Sequence, residues 1–173
     1  MKRFSKAIKA LAATLAVAIA VTCFTPAPVF AAKTITTTKT WEKAKAINKS
    51  GSTTVKYKTY NNHYFKFVAP KKGKYTITFD NLKTKTPGHD FGHVSISKVV
   101  KSPYSGKLQI VSLPVKTEGN KQAYSLYIAT KKDSIYRTKC TAKKISLNKG
   151  DTLVFYFHST GKTPTMRVNV KKN

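Results

Sequence analysis

The densest cluster of potential ligands is Gly88-His89-Asp90-Phe91-Gly92-His93, two histidines four apart with a carboxylate between them. On a helix that spacing would aim both imidazoles at one metal ion. Here Pro87 and the two glycines make the segment a loop running into a strand, in which Asp90 caps backbone donors. No metal is expected beyond an adventitious zinc or copper. Catalytic groups are as sparse. The six acids, at 42, 80, 90, 118, 133 and 151, are scattered, whereas glycosidases place two carboxylates on either side of one bond. The strong positive charge of the chain would also lower their pKa values, the wrong direction for a general acid. Cys140 with one of His63, His89, His93 or His158 could make a thiol nucleophile. Arg137, Lys139, Lys143 and Lys144 account for any thiolate character without catalysis. Ser95-Ile96-Ser97-Lys98 matches Ser-x-x-Lys but lies in an alternating strand and has no Lys-Thr-Gly partner. Gly161-Lys162-Thr163 lacks the earlier glycine and the following helix of a phosphate loop. Neither catalytic residues nor a cofactor are expected, and the chain reads as a non-enzyme.

Binding chemistry is better supplied. Trp41 and Tyr57, Tyr60, Tyr64, Tyr104, Tyr124, Tyr127, Tyr136 and Tyr156 sit among lysines. Aromatic faces beside cations can stack sugars or bases while ammonium groups meet anions. Most of these rings belong to core or edge packing. Trp41, Tyr60 and Tyr104 flank turn signals and are the candidates for exposed ligand contacts, with Lys43, Lys58, Lys101 and Lys107 beside them to supply charge.

The elements that must hold these residues are strands. Tyr75, Ile77 and Phe79 alternate with Lys74, Thr76, Thr78 and Asp80, and Met166, Val168 and Val170 alternate with Arg167, Asn169 and Lys171, the period-two pattern of a half-buried antiparallel strand. Similar runs cover 53–60, 63–69, 91–100, 107–112, 122–130, 134–147 and 151–158. Turn signals at 70–73, 86–88, 103–106, 148–151 and 159–162 separate them. Only Trp41–Ile47 reads as a short helix. About nine strands without a disulfide are best accommodated as two packed antiparallel sheets, a closed barrel being the alternative.

Residues 1–31 form a secretory signal peptide: Lys2, Arg3, Lys6 and Lys9, then an apolar run from Ala10 to Phe24, then Val29-Phe30-Ala31 before the cut. Residues 32–173 are the single exported domain. The chain carries 33 Lys+Arg against 6 Asp+Glu, a net +27. The first 31 residues hold four of the cations and none of the acids, so the imbalance belongs to the exported domain. Within it only Arg137 and Arg167 are arginine, which argues against sequence-specific nucleic-acid recognition, where planar bidentate forks read base edges. Cys140 is the lone cysteine after the signal segment, so no intrachain disulfide forms. No second long apolar run offers a transmembrane anchor, and a monomer is expected.

The stretch His63-Tyr64-Phe65-Lys66-Phe67-Val68-Ala69-Pro70-Lys71-Lys72-Gly73-Lys74-Tyr75-Thr76-Ile77-Thr78-Phe79 resembles the bacterial pre-peptidase C-terminal domain. In that family an aromatic-rich strand enters a Pro-x-x-Gly-x-Tyr turn and strand, and a Lys-Gly-Asp turn, here 149–151, precedes the penultimate strand. The resemblance spans about residues 40–171. It implies an all-β, jelly-roll-like antiparallel sandwich of the carbohydrate-binding type, secreted and non-catalytic, here standing alone. Calcium bound by some members through clustered acids is not carried over, because Glu42 is the only acid between 32 and Asp80.

The expected function is a secreted binding module, extracellular or loosely attached to the cell wall. It would hold an anionic polysaccharide or cell-wall polymer, such as teichoic acid or an acidic glycan, through distributed lysines. A neutral-carbohydrate or protein adhesin using exposed aromatics is the alternative. A cationic toxin or antimicrobial is weaker, because no basic amphipathic helix is visible.

Overall fold

The computed structural model describes residues 33–57, 63–86, 91–132, 136–159 and 164–173. Contacts divide the chain into residues 1–31 and Ala32–Asn173, and every described residue belongs to the second unit. Thirteen strands form among them: β1 (Lys33–Thr36), β2 (Ala46–Ile47), β3 (Gly51–Lys56), β4 (His63–Val68), β5 (Gly73–Lys83), β6 (Phe91–Lys101), β7 (Leu108–Ser112), β8 (Val115–Lys116), β9 (Gln122–Ala123), β10 (Ser125–Ala129), β11 (Lys139–Leu147), β12 (Thr152–Ser159) and β13 (Thr165–Lys172). One sheet runs β1-β3-β13-β5-β11-β8-β9. The other runs β10-β6-β12-β4-β2, with β7 also on β6.

Alternation decides which face each strand buries. In β5, Tyr75, Ile77 and Phe79 are fully buried, and in β12 so are Leu153, Phe155 and Phe157. These rings meet between the sheets: Phe79 lies edge-on to Phe155 at 5.6 Å and Phe67 edge-on to Tyr75 at 5.2 Å, while Phe65 stacks on Phe155 at 4.8 Å within one sheet. Burying each such side chain contributes roughly 1.5–3 kcal/mol, and edge-to-face pairs add to that. With no disulfide among the described residues, this interface holds the sandwich together.

The all-β reading holds, but two expectations need correction. The sheets are mixed, because β1 pairs with β3 and β2 with β4 in parallel. From β1 to β6 the chain passes to the opposite sheet at every connection, so alternate strands share a sheet and can share a direction. The two-residue strands are also too short to show a period, which is why about nine were expected. The second correction concerns Trp41–Ile47, which is not helical. Only a turn closes there, Ala44 N–H donating to Trp41 O at 3.1 Å, and the free edge of β4 takes up Ala46 and Ile47 as β2.

Strand β6 organises the six-stranded sheet. One edge pairs with β12 along most of its length, while the other is shared end to end: residues 91–95 pair with β10 and residues 97–101 with β7. The turn into β12 is set by Gly150, whose φ of +85° suits glycine. In the seven-stranded sheet Asn81 and Lys144 take left-handed conformations. Each lies at a register irregularity, Asn81 across from β13 and Lys144 within β11, and Asn81 suits its position because asparagine tolerates that region better than most residues.

Candidate functional site

Strands β4, β6, β10 and β12 send every second side chain to the solvent side of the six-stranded sheet, and their register lines these up in two rows. In one, Tyr127 faces His93 and His93 faces His158. In the other, Ser125 faces Ser95, Ser95 faces Tyr156, and Tyr156 faces Tyr64. The rings form an unbroken chain across the four strands. Phe91 stacks on Tyr136 at 4.9 Å, Tyr136 lies 6.1 Å from Tyr127, and Tyr127 lies 5.9 Å from His93. His93 in turn lies 5.4 Å from His158 and 6.3 Å from Tyr156, which is 5.2 Å from Tyr64. Tyr127 is 53% exposed and Phe91 40%, so these are surface rings and not core packing. Beside them the Ser95 and Ser125 hydroxyls sit 3.0 Å apart, a hydrophilic strip along an aromatic ridge.

Two groups of the ridge are biased toward their neutral forms within a strongly cationic chain. Burial, and then the neighbouring His158, lower the His93 pKa below the ordinary imidazole value. Burial, then Tyr156 and Glu42, raise that of Tyr64. Cations flank both ends. At the β10 end, exposed Arg137 and Lys139 line a cleft of about 290 Å³ beside Tyr127, with Glu118 and Cys140 in the same wall. At the β4 end, Lys66 Nζ donates to Glu42 O at 3.0 Å, and exposed Lys43 follows Glu42 in the chain. A surface of ring faces, hydroxyls and terminal cations can stack against the apolar faces of sugars, hydrogen-bond their hydroxyls and attract acidic substituents.

The outer face of the seven-stranded sheet differs. Lys56, Lys74, Lys139, Arg167 and Lys171 are exposed there, among threonines such as Thr54, Thr76 and Thr78, and this face has no ridge of rings among the described residues. Its carboxylate Asp80 is engaged: Arg167 donates to it through Nε at 2.6 Å and a terminal nitrogen at 3.0 Å.

The residues singled out from sequence fall into separate places. Tyr104, 98% exposed, shares the turn between β6 and β7 with Lys101 and Lys107. That turn is closed by the Ser102 N–H donating to Lys107 O at 2.8 Å and the Gly106 N–H to Ser102 O at 3.0 Å. Half-buried Trp41 and exposed Lys43 lie in the segment along β4, at the end of the ridge. Tyr60 and Lys58 lie outside the described residues, as do His89 and Asp90. The ridge residues Phe91, His93, Tyr127, Tyr156 and His158 were missed as a group. Their signal was an aromatic or imidazole at the solvent parity of a strand whose other parity is apolar, as in Leu153-Val154-Phe155-Tyr156-Phe157-His158. Burial first, then Glu118 and Asp80, push the Cys140 thiol up to about 12, so the nearby cations do not make it a thiolate.

No known family pattern matches the sequence, and no curated relative is similar to it. Solved structures with a similar course of chain include CorA, a surface-associated copper-binding protein important in copper acquisition in Methylomicrobium album BG8, at 11% identity and a TM-score of 0.43 over 80% of this chain and 100% of that one. Another is PliG of Aeromonas hydrophila, a periplasmic inhibitor of g-type lysozyme, at 9% identity and a TM-score of 0.35 over 82% and 100%. A third is the carbohydrate-binding module TmCBM61, solved with β-1,4-galactotriose, at 9% identity and a TM-score of 0.33 over 72% and 66%. None of these likenesses assigns a function.

Proposed function

We propose that this chain is a secreted, non-catalytic binding module for an acidic polysaccharide of a cell surface or extracellular matrix. The observation that carries the reading is the ridge of solvent-facing rings running from Tyr136 to Tyr64 across four strands of a protein with a net charge of +27. Ring faces grip the sugar backbone, and Arg137, Lys43 and Lys66 meet its acidic groups. The remaining lysines draw the polymer in over longer range. Export follows from the signal segment and agrees with the resemblance to pre-peptidase C-terminal domains.

The test is co-sedimentation of residues 32–173 with Gram-positive cell walls, before and after removal of acidic polymers, over about 50–500 mM salt, a range in which phosphate contacts weaken strongly. The paired change Tyr127→Ala with Tyr156→Ala should weaken binding about tenfold or more, since an aromatic contact is worth ~1 kcal/mol. Wild-type binding should fall as salt rises. The exposed cations of the seven-stranded sheet favour a second reading, in which charge alone holds the polymer. That reading predicts the same salt dependence with no effect of the tyrosine changes, and such a result would overturn the ridge as the site.

A further inference from the structure

We propose that His93 and His158 form a two-imidazole site for a borderline divalent transition-metal ion, with water completing the coordination. The two are direct cross-strand partners on β6 and β12, and both side chains face solvent from the same side of the sheet. Their ring centroids are 5.4 Å apart with planes inclined at 33°. A zinc–nitrogen bond of about 2.0–2.1 Å plus about 1.2 Å from nitrogen to ring centre puts two imidazoles on one tetrahedral ion with centroids roughly 5 Å apart. The sheet therefore already holds the rings at chelating distance, and side-chain rotation alone can converge their nitrogens. β6 is paired on both sides at His93, with β10 and with β12, so its backbone is already ordered for binding.

The chemistry of the neighbourhood selects the ion. His93 is biased toward the neutral form that donates a lone pair, by burial first and His158 second. No third histidine, cysteine or carboxylate joins the pair among the described residues. That disfavours calcium and magnesium, which need several hard oxygen ligands, and it rules out a closed four-ligand structural zinc site within this set. Imidazole nitrogens suit nickel, copper and zinc. Positions left open on the metal face solvent between the rings of Tyr127 and Tyr156, which lie 5.9 and 6.3 Å from His93. The site does not rest on the polysaccharide reading.

The spacing that first draws attention in the sequence joins His93 to His89. The structure instead gives His93 a partner 65 positions along the chain. Titration of the untagged protein with nickel, copper and zinc salts, each alone, should show one ion per chain and no binding of magnesium or calcium. His158→Ala and His93→Ala should each weaken that binding by about tenfold or more, as even outer ligand partners commonly do, and the double change should weaken it little further. Copper or nickel should broaden the NMR signals of His93, His158 and Tyr127 before those of Cys140. Unchanged thermal unfolding of His158→Gln, an exposed position, separates ligand loss from misfolding. Metal binding that survives His158→Ala and His158→Gln, or no binding by the wild-type protein, overturns the proposal.

Discussion

Lys98 Nζ donates to Asp151 Oδ2 across 2.7 Å, tying the middle of β6 to the turn that opens β12. The same carboxylate oxygen accepts the Asn148 N–H at 2.8 Å, and the Asp151 N–H returns a bond to Asn148 O at 3.1 Å. Burial of Asp151 works against its charge. The hydrogen bonds from Lys98 and Asn148 and the Lys98 charge outweigh it and hold the carboxyl below its usual value. A depressed folded-state pKa contributes stability that is present above the ordinary carboxylate range and lost as pH falls through the folded value. Asp151→Ala should therefore cost about 1 kcal/mol near neutrality, partial exposure keeping it at the low end for charged hydrogen bonds. In urea unfolding at about pH 7 and about pH 2 the gap between variant and wild type should close at the lower pH. An equal gap at both would show that the carboxylate's charge is irrelevant.

At Gly92 β6 packs tightly against β12. A Cβ added there would meet His158 O at 2.6 Å and two atoms of the Phe157 ring at 2.7 and 2.9 Å. Carbonyl and core ring have no room to retreat in a packed sheet, so Gly92→Ala should destabilise by about 1–3 kcal/mol. The strands would separate next to the His93–His158 pair, so the same variant should also weaken metal binding. Calorimetric melting of Gly92→Ala checks the first claim. An unchanged Tm would mean that the strands are further apart than the structure places them.

Cys140, on the inner side of β11 across from Phe79, should resist alkylation in the native protein. With its thiol pushed up to about 12 by burial, then by Glu118 and Asp80, almost no thiolate exists at neutral pH, and the thiolate is the reacting species. Labelling with a thiol reagent at about pH 8 should be slow in buffer and fast in denaturant, where the ordinary value near 8.5 returns. Rapid labelling of the folded protein would show that the cysteine is exposed and activated by Arg137 and Lys139.

Much of this molecule was legible without coordinates. Period-two alternation marked β5, β12 and β13 and told their buried faces from their wet ones, because a strand's geometry is set by its own residues. Lysine and proline-glycine punctuation marked the turns for the same local reason. The parallel pairs β1–β3 and β2–β4 could not be read, since a two- or four-residue strand has no period and its direction depends on which sheet the chain has crossed to. The helix expected at Trp41–Ile47 failed because a free strand edge offers Ala46 and Ile47 backbone partners that a lone turn cannot match.

The ridge shows the division most clearly. Sequence alone determined that Phe91, His93, Tyr127, Tyr156 and His158 lie in strands, and strand parity determined that they face away from their apolar neighbours. Which of them meet was decided only by register: Tyr127 against His93, His93 against His158, Tyr156 against Tyr64. Register comes from packing the whole inner face at once, because a one-residue slip would turn the core side chains of Phe155 and Phe157 into water. The sequence therefore supplied the rings, and burial of the core on the other side of the sheet aligned them.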